Sequence, residues 1–257
     1  MKITVLTENT ACRQNVSPQH GLSLWIETGD HRILFDMGQD DTFFQNAGKL
    51  GIDIREADIA VLSHGHYDHG GGLETFLRSN TGASIYVHEQ AFGEYYNGTE
   101  KYIGLDQSLI PNTRLIMTGG TQKLSDNLLL TDCNDLTWAC NSWGLNRKEG
   151  EKLSADSFLH EQYLEITEGG KRILISGCSH KGIVNIAGHF RPDVLIGGFH
   201  LNKLEDGNEL KTIAEALLSG DTIYYTGHCT GEKQFAQLKE IMGDRLHRLS
   251  TGVTFEI

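Results

Sequence analysis

The sequence predicts one α/β domain built from two β-rich halves with helices on the outside. Three observations carry this. Short apolar strand candidates recur in both halves, helical stretches with apolar residues at three- and four-residue spacing follow them, and 30 glycines against three prolines run through all 257 residues. That glycine usage suits many tight strand-to-loop turns and leaves no Pro-rich linker to mark a boundary. A chain of this length can bury a sizeable core, and a single core with a single site is the organisation expected for residues 1–257.

The first half reads as strands at Ile3 to Leu6, Leu22 to Glu27 and Arg32 to Phe35, the last two joined by a turn at Gly29-Asp30. A short helix is expected from about Asp41 to Leu50, stopped by Gly51. The compact apolar run Ile59 to Leu62 then leads directly into Ser63-His64-Gly65-His66. In the second half, Tyr163 to Thr167, Arg172 to Ile175, Val194 to Ile196 and Thr222 to Tyr225 are strand candidates, and Leu210 to Leu218 and Glu232 to Met242 are helix candidates. The stretch from about Glu89 to Asp156 is rich in Asn, Gly, Thr and Tyr and carries Trp138 and Trp143; it is expected to be an insertion or lid beside the site.

Acidic residues outnumber basic ones by 34 to 22, a formal net charge of −12, which disfavours nucleic acid or an anionic membrane as partner because a phosphate footprint needs clustered Lys and Arg. A small-molecule substrate is expected instead. The N-terminal Met1 to Glu8 alternates like a strand and lacks the character of a signal peptide, and no apolar run approaches membrane-spanning length. Cys12, Cys133, Cys140, Cys178 and Cys229 are odd in number and show no CxxC spacing, which points to a reducing cytoplasm rather than a disulfide framework.

The chemistry concentrates in His64-Gly65-His66-Tyr67-Asp68-His69, followed by Gly70-Gly71-Gly72. Three imidazoles and a carboxylate within six residues at the end of an apolar strand are hard to explain as packing, since each costs free energy to bury unless bonded or ligated. His64 and His66, two apart on an extended segment, point to one side and can share one ion. Where the chain turns into a helix, Asp68 and His69 can face a second. Imidazole with carboxylate suits Zn(II), with Fe and Mn as further metals the donors accept.

HxHxDH after a strand resembles the signature of the metallo-β-lactamase superfamily. The resemblance implies a four-layer αβ/βα sandwich in which two sheets pack face to face and loops at one edge hold one or two metal ions. It further implies a later histidine, a bridging aspartate and a final histidine, each at a strand end. On that pattern His228, in Thr226-Gly227-His228-Cys229-Thr230-Gly231, matches the final histidine, and His160, before the strand Tyr163 to Thr167, matches the third histidine of the first ion. Cys178 stands where the bridging aspartate is expected; a thiolate can bridge borderline metals, yet the departure puts a strictly dinuclear centre in question. His180, two residues on, competes with Cys178 for the ligand role. His200, in Gly197-Gly198-Phe199-His200-Leu201, is assigned to substrate contact or proton transfer, with a structural role as the plain counterpart; His20 is a weaker version of the same. His31, His88, His189 and His247 read as ordinary residues. Asp36 corresponds to an acid that braces a ligand histidine, and a helix N-cap is the alternative.

Phe35 to Gln39, Ser63 to Gly72, Gly177 to Gly182, Gly197 to Leu201 and Thr226 to Gly231 together resemble the branch of metal-dependent hydrolases related to the pterin-condensing synthase of methanopterin biosynthesis. The implied activity is hydrolysis of a small ester, thioester or phosphodiester by a metal-bound hydroxide, with Asp68 orienting the nucleophile while holding the second ion. The alternatives are a metal-assisted condensation, in which Trp138, Trp143, Tyr95 and Tyr96 could stack on a pterin ring, and a non-catalytic metal-binding sensor.

Overall fold

A computed structural model describes residues 1–257. Its central feature is a pair of seven-stranded mixed sheets. The N-terminal sheet runs, in spatial order, Thr254–Glu256, Lys2–Thr7, Ser23–Glu27, Arg32–Phe35, Ile59–Val61, Ser84–His88 and Leu115–Thr118. The C-terminal sheet runs Leu246–Arg248, Ile223–Thr226, Val194–Ile196, Lys171–Ile175, Tyr163–Glu168, Leu128–Thr131 and Thr121–Ser125.

Strand side chains alternate in direction, so a strand covered on both faces must be apolar at successive positions. Arg32–Phe35 shows the consequence: Ile33 and Phe35 enter a core shared with Ile173, Ile175, Val194 and Ile196 of the other sheet, while Leu34 enters a second core against Phe43, Ala47 and Phe76. On the far side, Leu174, Leu195 and Tyr224 pack against Ile186, Leu210, Ala214 and Leu238. The helices supplying these partners are Thr42–Lys49 and Leu73–Ser79 on one outer face, and Ile183–Phe190, Gly207–Leu217 and Glu232–Met242 on the other. Helix, sheet, sheet, helix gives the four-layer αβ/βα sandwich. No helix is long and apolar enough to cross a membrane.

The segment from Glu89 to Asp156 is not one unit. Leu115–Thr118 closes the N-terminal sheet, and Thr121–Ser125 with Leu128–Thr131 closes the C-terminal one, so the chain passes between halves here. Turn-forming residues around Gly119-Gly120 mask these short strands in the sequence. The remaining strands, Glu94–Asn97, Lys101–Tyr102, Leu145–Glu149 and Lys152–Ala155, form a separate four-stranded antiparallel sheet beside the site.

Candidate metal centre

The strand Ile59–Val61 delivers Ser63 to His66 onto the rim where the two sheets meet, and His66 then caps the short helix Tyr67–Gly70. Gly65 is required: a Cβ there would collide with the carbonyl of Ala91. The His64 and His66 rings lie 4.6 Å apart, and each has a buried Nε2 with no hydrogen-bond partner.

The partners of the other ring nitrogens explain this orientation. His64 Nδ1 donates to Ser63 Oγ at 2.8 Å, and Ser63 Oγ donates to Asp36 Oδ2 at 2.7 Å. His69 Nδ1 donates to the same Asp36 oxygen at 2.6 Å. His180 Nδ1 donates to Glu161 Oε2 at 2.7 Å, and His228 Nδ1 to Asn9 Oδ1 at 2.9 Å. Four imidazoles thus hand their Nδ1 proton outward and turn Nε2 inward, the arrangement by which neighbouring acceptors fix the tautomer and aim of metal-binding histidines. Asp36 is the expected brace and not a helix N-cap.

Inside the ring of histidines stands Cys178. Its Sγ lies 3.1 Å from His69 Nε2, which is itself 3.2 Å from His228 Nε2. The thiol groups with His64 and His180 on one side and with His69 and His228 on the other, donor atoms in each set falling within 4.8 Å of one another. Asp68 Oδ2 lies 3.4 Å from His228 Nε2 and 3.2 Å from the exposed His20. The two residues that compete in the sequence, Cys178 and His180, therefore both face the centre.

His160 is held differently. Its Nδ1 accepts the Gly65 N–H at 2.9 Å and its Nε2 donates to Asp156 at 3.0 Å. It buttresses the His64–His66 loop and groups with His66 and Asp156, donor atoms within 4.8 Å of one another, while His180 groups with His64 and Cys178. Of the aromatics considered for stacking, Tyr95 is fully buried against His160 at 4.0 Å with its hydroxyl on Gln90, and Tyr96 packs edge-on to Tyr102. Trp138 packs against His189, while Trp143 lines a neighbouring groove with His180 and His200.

Sequence reading missed Glu161, Ser63, Asn9, Asp156 and Glu8, whose carboxylate receives the His228 N–H at 2.5 Å. Glu161 left one usable signal: an acid beside His160 at the mouth of an apolar strand is costly to bury without a partner.

Electrostatics follow the geometry. Burial, together with the neighbouring imidazoles, pushes His64 and His66 well below the ordinary histidine range, leaving neutral rings with free lone pairs. Burial alone would raise Asp68, but hydrogen bonds from His20 and His228 hold it well below the ordinary carboxylate range. Glu161, against the same opposing effect of burial, is held at about 2 by His180. Burial opposes charge on His69, yet Asp36 raises it to about 9. Unpartnered buried nitrogens each cost about 1–3 kcal/mol unless something satisfies them. Imidazole, carboxylate and thiol donors gathered in neighbouring sets fit a divalent borderline metal.

The model of the metallo-beta-lactamase superfamily matches residues 16–138. The uncharacterized protein MJ0448 of Methanocaldococcus jannaschii is 30% identical over 248 residues, covering 93% of this chain and 94% of the relative. The chain belongs to the metallo-beta-lactamase superfamily. A second relative within reach of this superfamily member is the 7,8-dihydropterin-6-methyl-4-(beta-D-ribofuranosyl)-aminobenzene-5'-phosphate synthase of the same organism, 29% identical over 261 residues and covering 91% and 88% of the two chains. Among solved structures, Tm1679, a metal-dependent hydrolase of the beta-lactamase superfamily, superposes with a TM-score of 0.83 at 28% identity, covering 100% of this chain and 99% of that one.

Proposed function

We propose that this superfamily member is a metal-dependent hydrolase of a small ester, thioester or phosphodiester. The observation that carries the reading is that His66, His180, His228, Asp68 and Cys178 line one cavity of about 110 Å³, with the exposed His20, Lys101 and Lys203 also on its lining, and that His64 and His69 group with the same Cys178 thiol. His64, His66 and His180 would hold one ion, Asp68, His69 and His228 a second, and Cys178 stands between them. Bound there, such ions would supply Lewis acidity toward a carbonyl or phosphoryl oxygen and lower the pKa of water to about 7.

The protein's own residues do the rest. Asp68, kept ionised by His20 and His228, presents a proton acceptor at the cavity mouth. Lys101 and Lys203 place positive charge at that mouth in a chain of net charge −12, which favours a substrate bearing an anionic or strongly polar group. Asn97 and Asn202 add hydrogen-bonding capacity, and Ile103 and Leu145 wall the cavity against bulk water. Zn(II)-reconstituted protein assayed with nitrophenyl esters, a thioester and a bis(nitrophenyl) phosphodiester should turn over at least one class. His66→Ala and Asp68→Asn should abolish that turnover and lower metal content; full activity in both variants would end the assignment.

The similarity to a pterin-condensing synthase favours one second reading, a metal-assisted condensation. Tight binding of a reduced pterin with no turnover in any hydrolase assay would select it.

A further inference from the structure

Cys178 also belongs to a third convergent set, whose other two members, Cys229 and His200, the hydrolytic reading does not use. Its Sγ, that of Cys229 and a ring nitrogen of His200 all lie within 4.8 Å of one another. Both cysteines are buried, and neither ring nitrogen of His200 has a hydrogen-bond partner. The Cys229 thiol makes a long 3.6 Å contact to the Cys178 carbonyl and faces the Cys178 and His200 side chains. Two thiols and an unsatisfied imidazole are therefore turned toward one point, and that point borders the open cavity, so an ion has a way in.

The backbone is shaped to bring them there. Gly198 leaves the space the Cys229 thiol fills, since a Cβ at that position would run into the sulfur. His200 holds φ +51° and His228, next to Cys229, holds φ +50°, a left-handed conformation that non-glycine residues rarely adopt and that costs about 1–3 kcal/mol where it is imposed. The strained turn after Val194–Ile196 and the strained turn after Ile223–Thr226 face each other across this gap.

We propose that Cys178, Cys229 and His200 form a further, thiolate-rich position for a thiophilic divalent ion such as Zn(II), adjoining the histidine-rich positions through the shared Cys178. Two sulfurs and one nitrogen are a donor set that favours Zn(II) or Co(II) over Mn(II) or Mg(II), and three protein donors leave a coordination position open. Ligation rather than proton transfer then accounts for His200. The inference rests on the proposed hydrolytic centre only through the shared Cys178.

The test uses full-length protein kept reduced, stripped with a chelator and reloaded with Co(II), which reports thiolate ligation by charge-transfer absorption in the near ultraviolet. Cys229→Ser should lose about half of that absorption and one equivalent of cobalt while keeping the rest. Should Cys229→Ser not fold, His200→Asn serves in its place, because Asn tolerates the left-handed backbone while removing the ring; it too should lose one equivalent. Wild-type absorption and stoichiometry in a folded variant of either kind would overturn the proposal. The two readings fail separately: absence of hydrolysis with the sulfur-dependent absorption intact removes only the hydrolase, and normal hydrolysis with an unchanged Cys229→Ser spectrum removes only the thiolate-rich position.

Discussion

Asp36, Ser179, His200 and His228 all hold positive φ, between +50° and +58°, and all stand at the site. The packed sheets behind them impose these conformations, and the strain aims side chains that relaxed loops would scatter. Glu161 acts at the same scale: through 2.7 Å contacts to both the backbone N–H and Nδ1 of His180 it fixes where that ring points. Glu161→Gln should weaken metal affinity by about 10- to 100-fold in competition with a chromophoric chelator. Unchanged affinity would remove His180 from the ligand set. Gly65→Ala should lower stability by on the order of 3 kcal/mol, since the Ala91 carbonyl and the flanking histidines cannot all stay in place, and thermal melting would measure it.

At the scale of elements, buried side-chain amides join pieces that apolar packing alone would leave loose. Asn80 ends the helix Leu73–Ser79, donates to the carbonyls of Ile54 and Ala57 at 3.1 and 2.9 Å, and accepts from Gly82 and Ala83 at 3.0 and 2.8 Å. Asn80→Ala would leave the buried Ile54 and Ala57 carbonyls and the Ala83 N–H without these partners. A loss of about 3 kcal/mol is expected in urea unfolding, as a lower midpoint at unchanged slope, with metal content unaffected. The small sheet Glu94–Asn97, Lys101–Tyr102, Leu145–Glu149 and Lys152–Ala155 is an element of a different kind. It carries Tyr95 onto the back of His160 and Lys101 to the cavity mouth, so it both buttresses the centre and shapes its entrance.

At the scale of the molecule, the centre lies where both sheets and their connecting loops meet. Its donors come from His64 to His228, so an ion there ties the two halves together. Stripping metal with a chelator should lower the melting temperature by roughly 10 °C, from about 4 kcal/mol of binding energy at a thousandfold excess over Kd, and Zn(II) should restore it. Equal melting temperatures for stripped and reloaded protein would show that no ion bridges the halves.

The sequence by itself determined the strands that are apolar at every position, because burial on both faces admits nothing else, and the HxHxDH turn, because that density of polar donors after a buried strand has no packing rationale. Through the family resemblance it also singled out His228, Cys178 and His180, all three of which line the cavity. Tertiary structure alone decided that His180 groups with His64 and Cys178 while His160 is bonded to the Gly65 backbone and Asp156, that Glu161 aims His180, and that Cys229 comes up beside Cys178. The physical reason is that a ligand is defined by the lone pair left over after hydrogen bonding. His160 spends its own on the backbone of Gly65, 95 residues earlier in the chain, and a partner that distant is brought near only by the stacking of two whole sheets.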